Sequence, residues 1–303
     1  MARSAERQAR IDLQRELVIA AFPQKWERLI TEWNSPAPED RGWLMYSANY
    51  LFRTGGVRWA IDPLEMHSRL TRVNRPEAAR DLRNLDFVLL THRHSDHLDL
   101  NLLRTLRDLP IQWVVPEAIL PLVRKQAGLA AGQILVPETL QTIELHGFRI
   151  TPFDGLHWED SPTLRVGWRG VAETGYLVEL GDKRWLFPGD TRNYDAARLP
   201  AFGEVDILFA HLWLGRGAAL KEKPPLLEEF CRFCLALQPR QVILTHLEEW
   251  GRGGRDFWDR EQAGLVIREL NRLAPSLPVA VAFSGDEIPL EDASKSENST
   301  VLR

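Results

Sequence analysis

His92-Arg93-His94-Ser95-Asp96-His97 sets three imidazoles and a carboxylate within six residues, directly behind the apolar run Phe87-Val88-Leu89-Leu90. Crowding such groups is costly unless something pairs them, and a metal ion is the economical partner. Phe87–Leu90 is too short for a helix and reads as a buried strand, so the cluster sits at a strand's carboxyl end. In an extended segment residues two apart share a face, which lets His92 and His94 reach one ion together. Asp96 and His97 follow where the chain turns toward Leu98-Asp99-Leu100, and can point at a second ion. Asp99 can steady a ligand imidazole from behind or cap the next helix.

A transition ion takes roughly four to six donors, so the rest of the chain should supply more. His157 lies just past the expected strand Ile150–Phe153. Asp190 ends another in Phe187-Pro188-Gly189-Asp190-Thr191, and His246 a third in Ile243-Leu244-Thr245-His246. Each follows a strand's carboxyl end, where α/β proteins place their sites. His211, in Phe209-Ala210-His211, does so too. It is a candidate to contact substrate or donate a proton, with a hydrogen-bonded structural role as the alternative. Arg216, between Gly215 and Gly217, could grip an anionic group as a bidentate fork or stand as a solvated loop residue. Trp158, Trp213, Trp250 and Trp258 lie near these positions and suggest an aromatic wall, or simply loop packing. Glu248 and Glu249 beside His246 could serve as acid groups. His67 and His146 read as surface residues.

Around the site the pattern is mixed α/β. Ala5–Trp33 has helical spacing broken by Pro23, which predicts two short helices, and 34–40 reads as a linker by its turn chemistry. Trp43–Phe52 and Val57–Ile61 predict strands joined through Thr54-Gly55-Gly56, with Asp62-Pro63 ending the second. Tyr176–Leu180 and Arg184–Phe187 predict a hairpin closed by Gly181-Asp182. Helices are expected at Leu100–Arg107, Glu117–Lys125, Leu226–Leu237 and Glu261–Leu273, and further strands at Trp113–Val115, Gln133–Val136, Val205–Ala210, Gln241–Leu244 and Val279–Phe283. Domain boundaries follow as a helical extension and linker over 1–40, a catalytic domain over 41–290 and a disordered tail over 291–303.

With 303 residues, 44% apolar and 26% charged, the chain is ordinary for a folded soluble protein. A net charge of −4 and a pI near 6.1 offer no positive field for a polyanion, so nucleic acid is a disfavoured partner. The two cysteines, Cys231 and Cys234, read as packing residues on one helix face rather than a zinc site or redox pair. The charged amino end has no secretory apolar core and no run approaches the ~20 residues of a membrane span, which points to a cytoplasmic protein. Oligomerisation is left open.

These residues resemble the metallo-β-lactamase-fold hydrolases, whose signature His-x-His-x-Asp-His is met by His92 to His97 and whose later His, Asp and His match His157, Asp190 and His246 in order. The likeness covers about 42–289. The hairpin ending in Ile61-Asp62-Pro63 looks more like the ascorbate-6-phosphate lactonase and N-acyl-phosphatidylethanolamine phospholipase D branch than true β-lactamases. The resemblance implies an αββα sandwich with two divalent ions: His92, His94 and His157 on one, Asp96, His97 and His246 on the other, and Asp190 bridging. It further implies cleavage of a phosphodiester, lactone or related ester of a small molecule by a metal-activated hydroxide; by their positions and charge Asp96 and Asp190 are candidates to orient that hydroxide, and His211, Trp213, Arg216 and Trp250 to face substrate. Zinc is the favoured ion, and manganese or iron accepts the same donors. Flavodiiron oxidases of this fold carry glutamate where this chain has His94, which favours hydrolysis. An iron-dependent oxidoreductase and an RNase Z-like nuclease are the alternatives.

Overall fold

Strands with apolar residues on both faces need cover on both sides, and the chain provides it in four layers. The computed structural model describes residues 2–37, 39–64, 66, 77–157, 170–217, 223–250, 252–288 and 290. Among them, two seven-stranded sheets form. The first runs in the order β14 (Glu287–Ile288), β1 (Arg41–Leu44), β2 (Tyr50–Thr54), β3 (Val57–Ile61), β4 (Phe87–Leu89), β5 (Gln112–Val114) and β6 (Ile134–Leu135). The second runs β13 (Val279–Val281), β12 (Pro239–Thr245), β11 (Val205–His211), β10 (Lys183–Phe187), β9 (Thr174–Leu180), β8 (Phe148–Asp154) and β7 (Ile143–Leu145).

Between the sheets lies an aromatic layer. Trp59 is fully buried, stacked 4.2 Å from Phe52 and 5.5 Å from Phe87, and 6.2 Å from Trp185 of the opposite sheet. Outside the first sheet pack α1 (Ala2–Asn34), α2 (Ala78–Asp81), α3 (Leu100–Leu106) and α4 (Leu120–Gln126). Outside the second pack α5 (Leu227–Ala236) and α6 (Arg260–Leu273). The expected αββα sandwich with an N-terminal helix is therefore what the chain builds. Helix α6 starts in a capping box: Asp259 accepts from Glu261 N, and the Gln262 side chain accepts from Asp259 N. Asp99 caps α3 by accepting from Asn101 N and Leu102 N. Cys231 and Cys234 are free thiols buried on the inner face of α5, and burial pushes Cys231 up to about 12.

Two elements differ from expectation. α1 is one helix that runs through Pro23 rather than two short ones. An interior proline costs ~3 kcal/mol. Ile11, Phe22, Trp26, Leu29 and Trp33 are buried on both sides of it, and each contributes roughly 1.5–3 kcal/mol, so a single continuous helix wins. The expected strand Trp43–Phe52 is two strands, β1 and β2, paired antiparallel from Arg41↔Arg53 to Leu44↔Tyr50. The break is fixed by Asn49, whose Nδ2 donates to Asp62 O (2.7 Å) and Asp96 O (2.8 Å), while Met45 N donates to Asn49 O. The predicted tail over 291–303 lies outside the described residues. No helix among the described residues is long and apolar enough to cross a membrane.

Trp59→Ala would open a cavity where both sheets meet, so urea unfolding should show a loss of about 3–5 kcal/mol. Leu13→Ala, at a side chain 59% exposed on α1, should stay within about 0.5 kcal/mol of the parent.

Candidate metal centre

Strand β3 pairs parallel with β4, and β10, β11 and β12 run parallel to one another. Their carboxyl ends, with that of β8, open onto one edge of the sandwich. Beyond β4 the chain enters Thr91-His92. Asp62, just past β3, is 1% exposed and ties this segment down. Its Oδ1 accepts from Thr91 N (2.8 Å), and its Oδ2 accepts from Thr91 Oγ1 (2.5 Å) and His97 Nδ1 (2.8 Å). His92 Nδ1 donates to Glu173 Oε1 (3.0 Å). Held at Nδ1, each of these two rings turns its Nε2 inward, where an incoming cation would displace any proton it carries.

Among the described residues four overlapping groups of donors result, two of them joining His97 to Asp62 and His92 and to Asp190 and His211. His92, His94, His157 and Asp190 offer ligand atoms that all lie within 4.8 Å of one another. His94 Nδ1 is 3.1 Å from both His92 Nε2 and His157 Nε2. Asp96, His97 and His246 form a second group of the same tightness. His246 Nε2 is 3.8 Å from Asp96 Oδ2, and 3.5 Å from both Asp190 Oδ2 and Glu249 Oε1. Asp190 stands between the groups. Its Oδ1 accepts from His211 Nδ1 (2.9 Å) and lies 3.4 Å from His97 Nε2, while its Oδ2 accepts from Arg192 Nη2 (2.8 Å).

The electrostatics fit divalent cations. Burial, helped by neighbouring His92, lowers His94 to about 4. Burial beside Arg192 takes His157 to about 3, and burial takes His246 to about 4, so all three are neutral donors at pH 7. Burial opposes charge on His97 as well, yet Asp190 and Asp62 overcome it and hold that imidazole well above its usual value. Burial would raise Asp190, but His246, Arg192 and His97 keep it well below the usual carboxylate range. His97 Nε2, His157 Nδ1 and both ring nitrogens of His246 are buried without a hydrogen-bond partner. Convergent lone pairs beside ionised carboxylates, with buried nitrogens left orphaned, are what a metal-binding donor set looks like before metal enters. Backbone strain accompanies it: Asp62, His246 and Glu248 have φ of 44°, 62° and 56°.

All seven residues expected as ligands thus share one edge. The expected substrate contacts fare unevenly. His211 is buried with both nitrogens engaged, Nδ1 on Asp190 and Nε2 2.9 Å from the Tyr50 hydroxyl, which also meets Thr245 Oγ1 at 2.6 Å. With its Nδ1 proton directed at Asp190, Nε2 of His211 faces the Tyr50 hydroxyl. Trp213 lies beneath the Arg192 guanidinium, 4.9 Å from its ring centre. Arg216 is half-exposed, 3.9 Å from Asp256. Among the described residues Trp250 and Trp258 do not line the site: Trp250 packs with Phe257 in the core under the first sheet and Trp258 in the core under the second, because apolar burial outweighs exposure at the rim. Trp158 and His67 lie outside the described residues, and His146 is exposed as expected.

The sequence reading missed Asp62, Glu173, Tyr50 and Arg192. Asp62 follows a strand end, the same signal that flagged Asp190, but its neighbour Pro63 made it look like a stop. Glu173 precedes β9, whose start meets the end of β8 because the two are antiparallel. That pairing was the only signal available. Glu173 Oε1 also accepts from Asp190 N (2.9 Å), and despite burial His92 draws this carboxyl down to about 2.

Comparison with known proteins gives a consistent picture. A family model described as a β-lactamase superfamily domain matches residues 58–247. A UPF0173 protein of Pyrococcus abyssi is 27% identical over 216 residues, 71% of this chain and 86% of the relative. The N-acyl-phosphatidylethanolamine-hydrolyzing phospholipase D 1 of Caenorhabditis elegans is 26% identical over 49% of this chain and 46% of its own length, so this chain spans about half of that relative. Among solved structures, a possible metal-dependent hydrolase from Veillonella parvula superposes with a TM-score of 0.59 at 18% identity, covering 83% of this chain and 99% of that one. CmlA, a diiron beta-hydroxylase from Streptomyces venezuelae, superposes at 0.55 and 19% identity over 84% and 54%. The two structures share the fold.

Glu173→Gln and Asp62→Asn keep side-chain size but remove the charge that orients His92 and His97. Each should weaken divalent-ion binding about 10–100-fold in a chelator-competition titration, with unchanged circular dichroism. The ion-free protein should also lose stability in acid. His94, His157 and His246 are held below the ordinary 6.5. The unfolded chain therefore binds more protons between pH 6.5 and about 4, and stability present above pH 6.5 is lost across that window, whereas raised His97 acts only at and above pH 6.5 and leaves the slope within the window unchanged. A urea midpoint that holds steady from pH 7 to pH 4 would contradict neutral buried imidazoles.

Proposed function

Because the chain belongs to the β-lactamase superfamily, a family of metal-dependent hydrolases, we propose that it is a dinuclear hydrolase of a phosphodiester, lactone or related ester. In this reading His92, His94 and His157 hold one divalent ion, Asp96, His97 and His246 hold the other, and Asp190 lies between them. The observation that carries it is the meeting of two donor groups around one buried carboxylate. Zinc suits this set, and manganese or iron fits it.

Two ions would supply Lewis acidity, lowering the pKa of a coordinated water to about 7 and screening charge on the attacked carbonyl or phosphorus. The rest is the work of the chain. Glu173 and Asp62 engage Nδ1 of His92 and His97 and so orient both rings with Nε2 inward. Asp190 and Asp96 accept hydrogen bonds and so can orient an attacking water. His211 acts as a positioning residue: it donates to Asp190 Oδ1 and is itself held by Tyr50, so it fixes which way that carboxylate faces. Arg192 neutralises the other Asp190 oxygen. Half-exposed Arg216 stands on the loop after β11, where an anionic substrate group could reach it. The phosphodiester branch draws support from the C. elegans phospholipase D relative, and the net charge of −4 disfavours a nuclease role.

A panel of chromogenic phosphodiesters and lactones tests the reading. Turnover should fall at least about 100-fold in His94→Ala and Asp190→Ala and stay level in His146→Ala, at an exposed turn. Protein purified without added metal should be assayed for metal content in parallel. Two tightly held irons with redox-active absorption, and no hydrolysis across the panel, would favour an oxidoreductase on this scaffold instead.

A further inference from the structure

The segment behind His246 is held in a backbone that side chains seldom adopt, with φ of 62° at His246 and 56° at Glu248. Such strain persists only where the surroundings over-determine it. Three contacts do so. His246 N donates to Ser47 O (2.7 Å), Glu248 N donates to Trp258 O (2.8 Å), and Gln14 Nε2 donates to Glu248 Oε1 (2.5 Å). The last comes from α1, and α1 also secures the second, because Arg7 grips the residue beside Trp258.

Arg7 is only 6% exposed. Its Nη2 donates to Phe257 O (2.8 Å) and Gln262 Oε1 (3.2 Å), its Nε to Gly254 O (3.1 Å), and its Nη1 to Glu261 Oε2 (3.0 Å). Asp259 Oδ2 lies 3.4 Å from the guanidinium, and Gln8 Oε1 accepts from Gly254 N (3.0 Å). Burying a guanidinium is costly unless its planar fork of donors is satisfied. Here the fork spans the loop that returns from the site and the start of α6. Among the described residues, the hydrogen bonds of Arg7 go to 254–262 and that of Gln14 to Glu248, whereas His92, His94 and His157 ride on other segments. Both the clasp and the clasped loop lie outside residues 58–247 that the family model matches.

We propose that the N-terminal helix positions half of the metal site: Arg7 and Gln14 clamp Glu248 and residues 254–262 so that His246 stays aimed at Asp96 and His97. The inference rests on the ligand assignment given under Proposed function. Its signature is asymmetry, with one ion site depending on α1 and the other not.

The test is calorimetric titration of the chelator-stripped full chain with Zn2+ alone, for the parent, Arg7→Ala, Arg7→Lys, Gln14→Ala and, as control, Arg28→Ala at an exposed position of α1. The parent and the control should bind two ions. Arg7→Ala should keep one at parental affinity and weaken the other at least about tenfold, Arg7→Lys should recover part of that loss, and Gln14→Ala should weaken the same site more mildly. If Arg7→Ala does not fold, Gln14→Ala, which removes a single hydrogen bond, carries the comparison. Two unchanged affinities in the variants overturn the inference, and so does equal weakening of both with a lowered melting temperature, since that reports general loosening. A parent chain that takes up fewer than two ions overturns the ligand assignment and this inference with it.

Discussion

The carboxylate of Asp190 has two oxygens and four claimants. Oδ1 accepts from His211 and faces His97, and Oδ2 accepts from Arg192 and faces His246. The backbone N–H of the same residue donates to Glu173, which in turn holds His92. Every donor group at the sandwich edge is thus referred to one short turn after β10. The turn needs its glycine: Gly189 has φ of 79°, and a Cβ there would come within 2.4 Å of Glu173 Oε1. A larger residue at 189 would push Glu173 aside and let His92 and Asp190 drift apart together.

Buried charge in this quantity is tolerated because each group is assigned a state. His94, His157 and His246 are kept neutral by burial, while His97, bracketed by Asp62 and Asp190, is placed where positive charge is welcome. The polarity of the site is uneven for that reason. The His97 and His246 side carries Asp96, Asp190 and Glu249 close by, and the His94 and His157 side is nearly all imidazole. Donor groups that differ in charge and chemistry would differ in the ions they accept.

Much of this is legible in the chain alone. His92 to His97 announced itself by density, and Asp190 and His246 by lying at strand ends. The hairpin glycines at 55 and 181 and the capping of α3 by Asp99 followed from local rules. What stayed hidden depends on contacts distant in sequence. Glu173 matters because β9 pairs antiparallel with β8, and Tyr50 because β2 faces β11 across the aromatic layer. Neither fact has a local signature. The continuous α1 was misread for a related reason: Pro23 speaks locally against a helix, and only tertiary burial on both sides of it speaks for one. The tryptophans near the site were ambiguous, since an apolar ring beside a catalytic loop is equally good core.

The two sheets contribute unequally but jointly to each donor group. Residues 92–97 descend from the first sheet, and His157, Asp190 and His246 from the second, so neither group is complete within one sheet. An ion bound as proposed would act as a rivet through the seam of the sandwich. By mass action, a ligand at a hundred times its dissociation constant adds about 2.7 kcal/mol to the folded state, comparable to burying a large side chain between the layers. The lifetime of the folded protein would then follow the supply of metal around it, and starvation for metal would remove the enzyme as well as silence it.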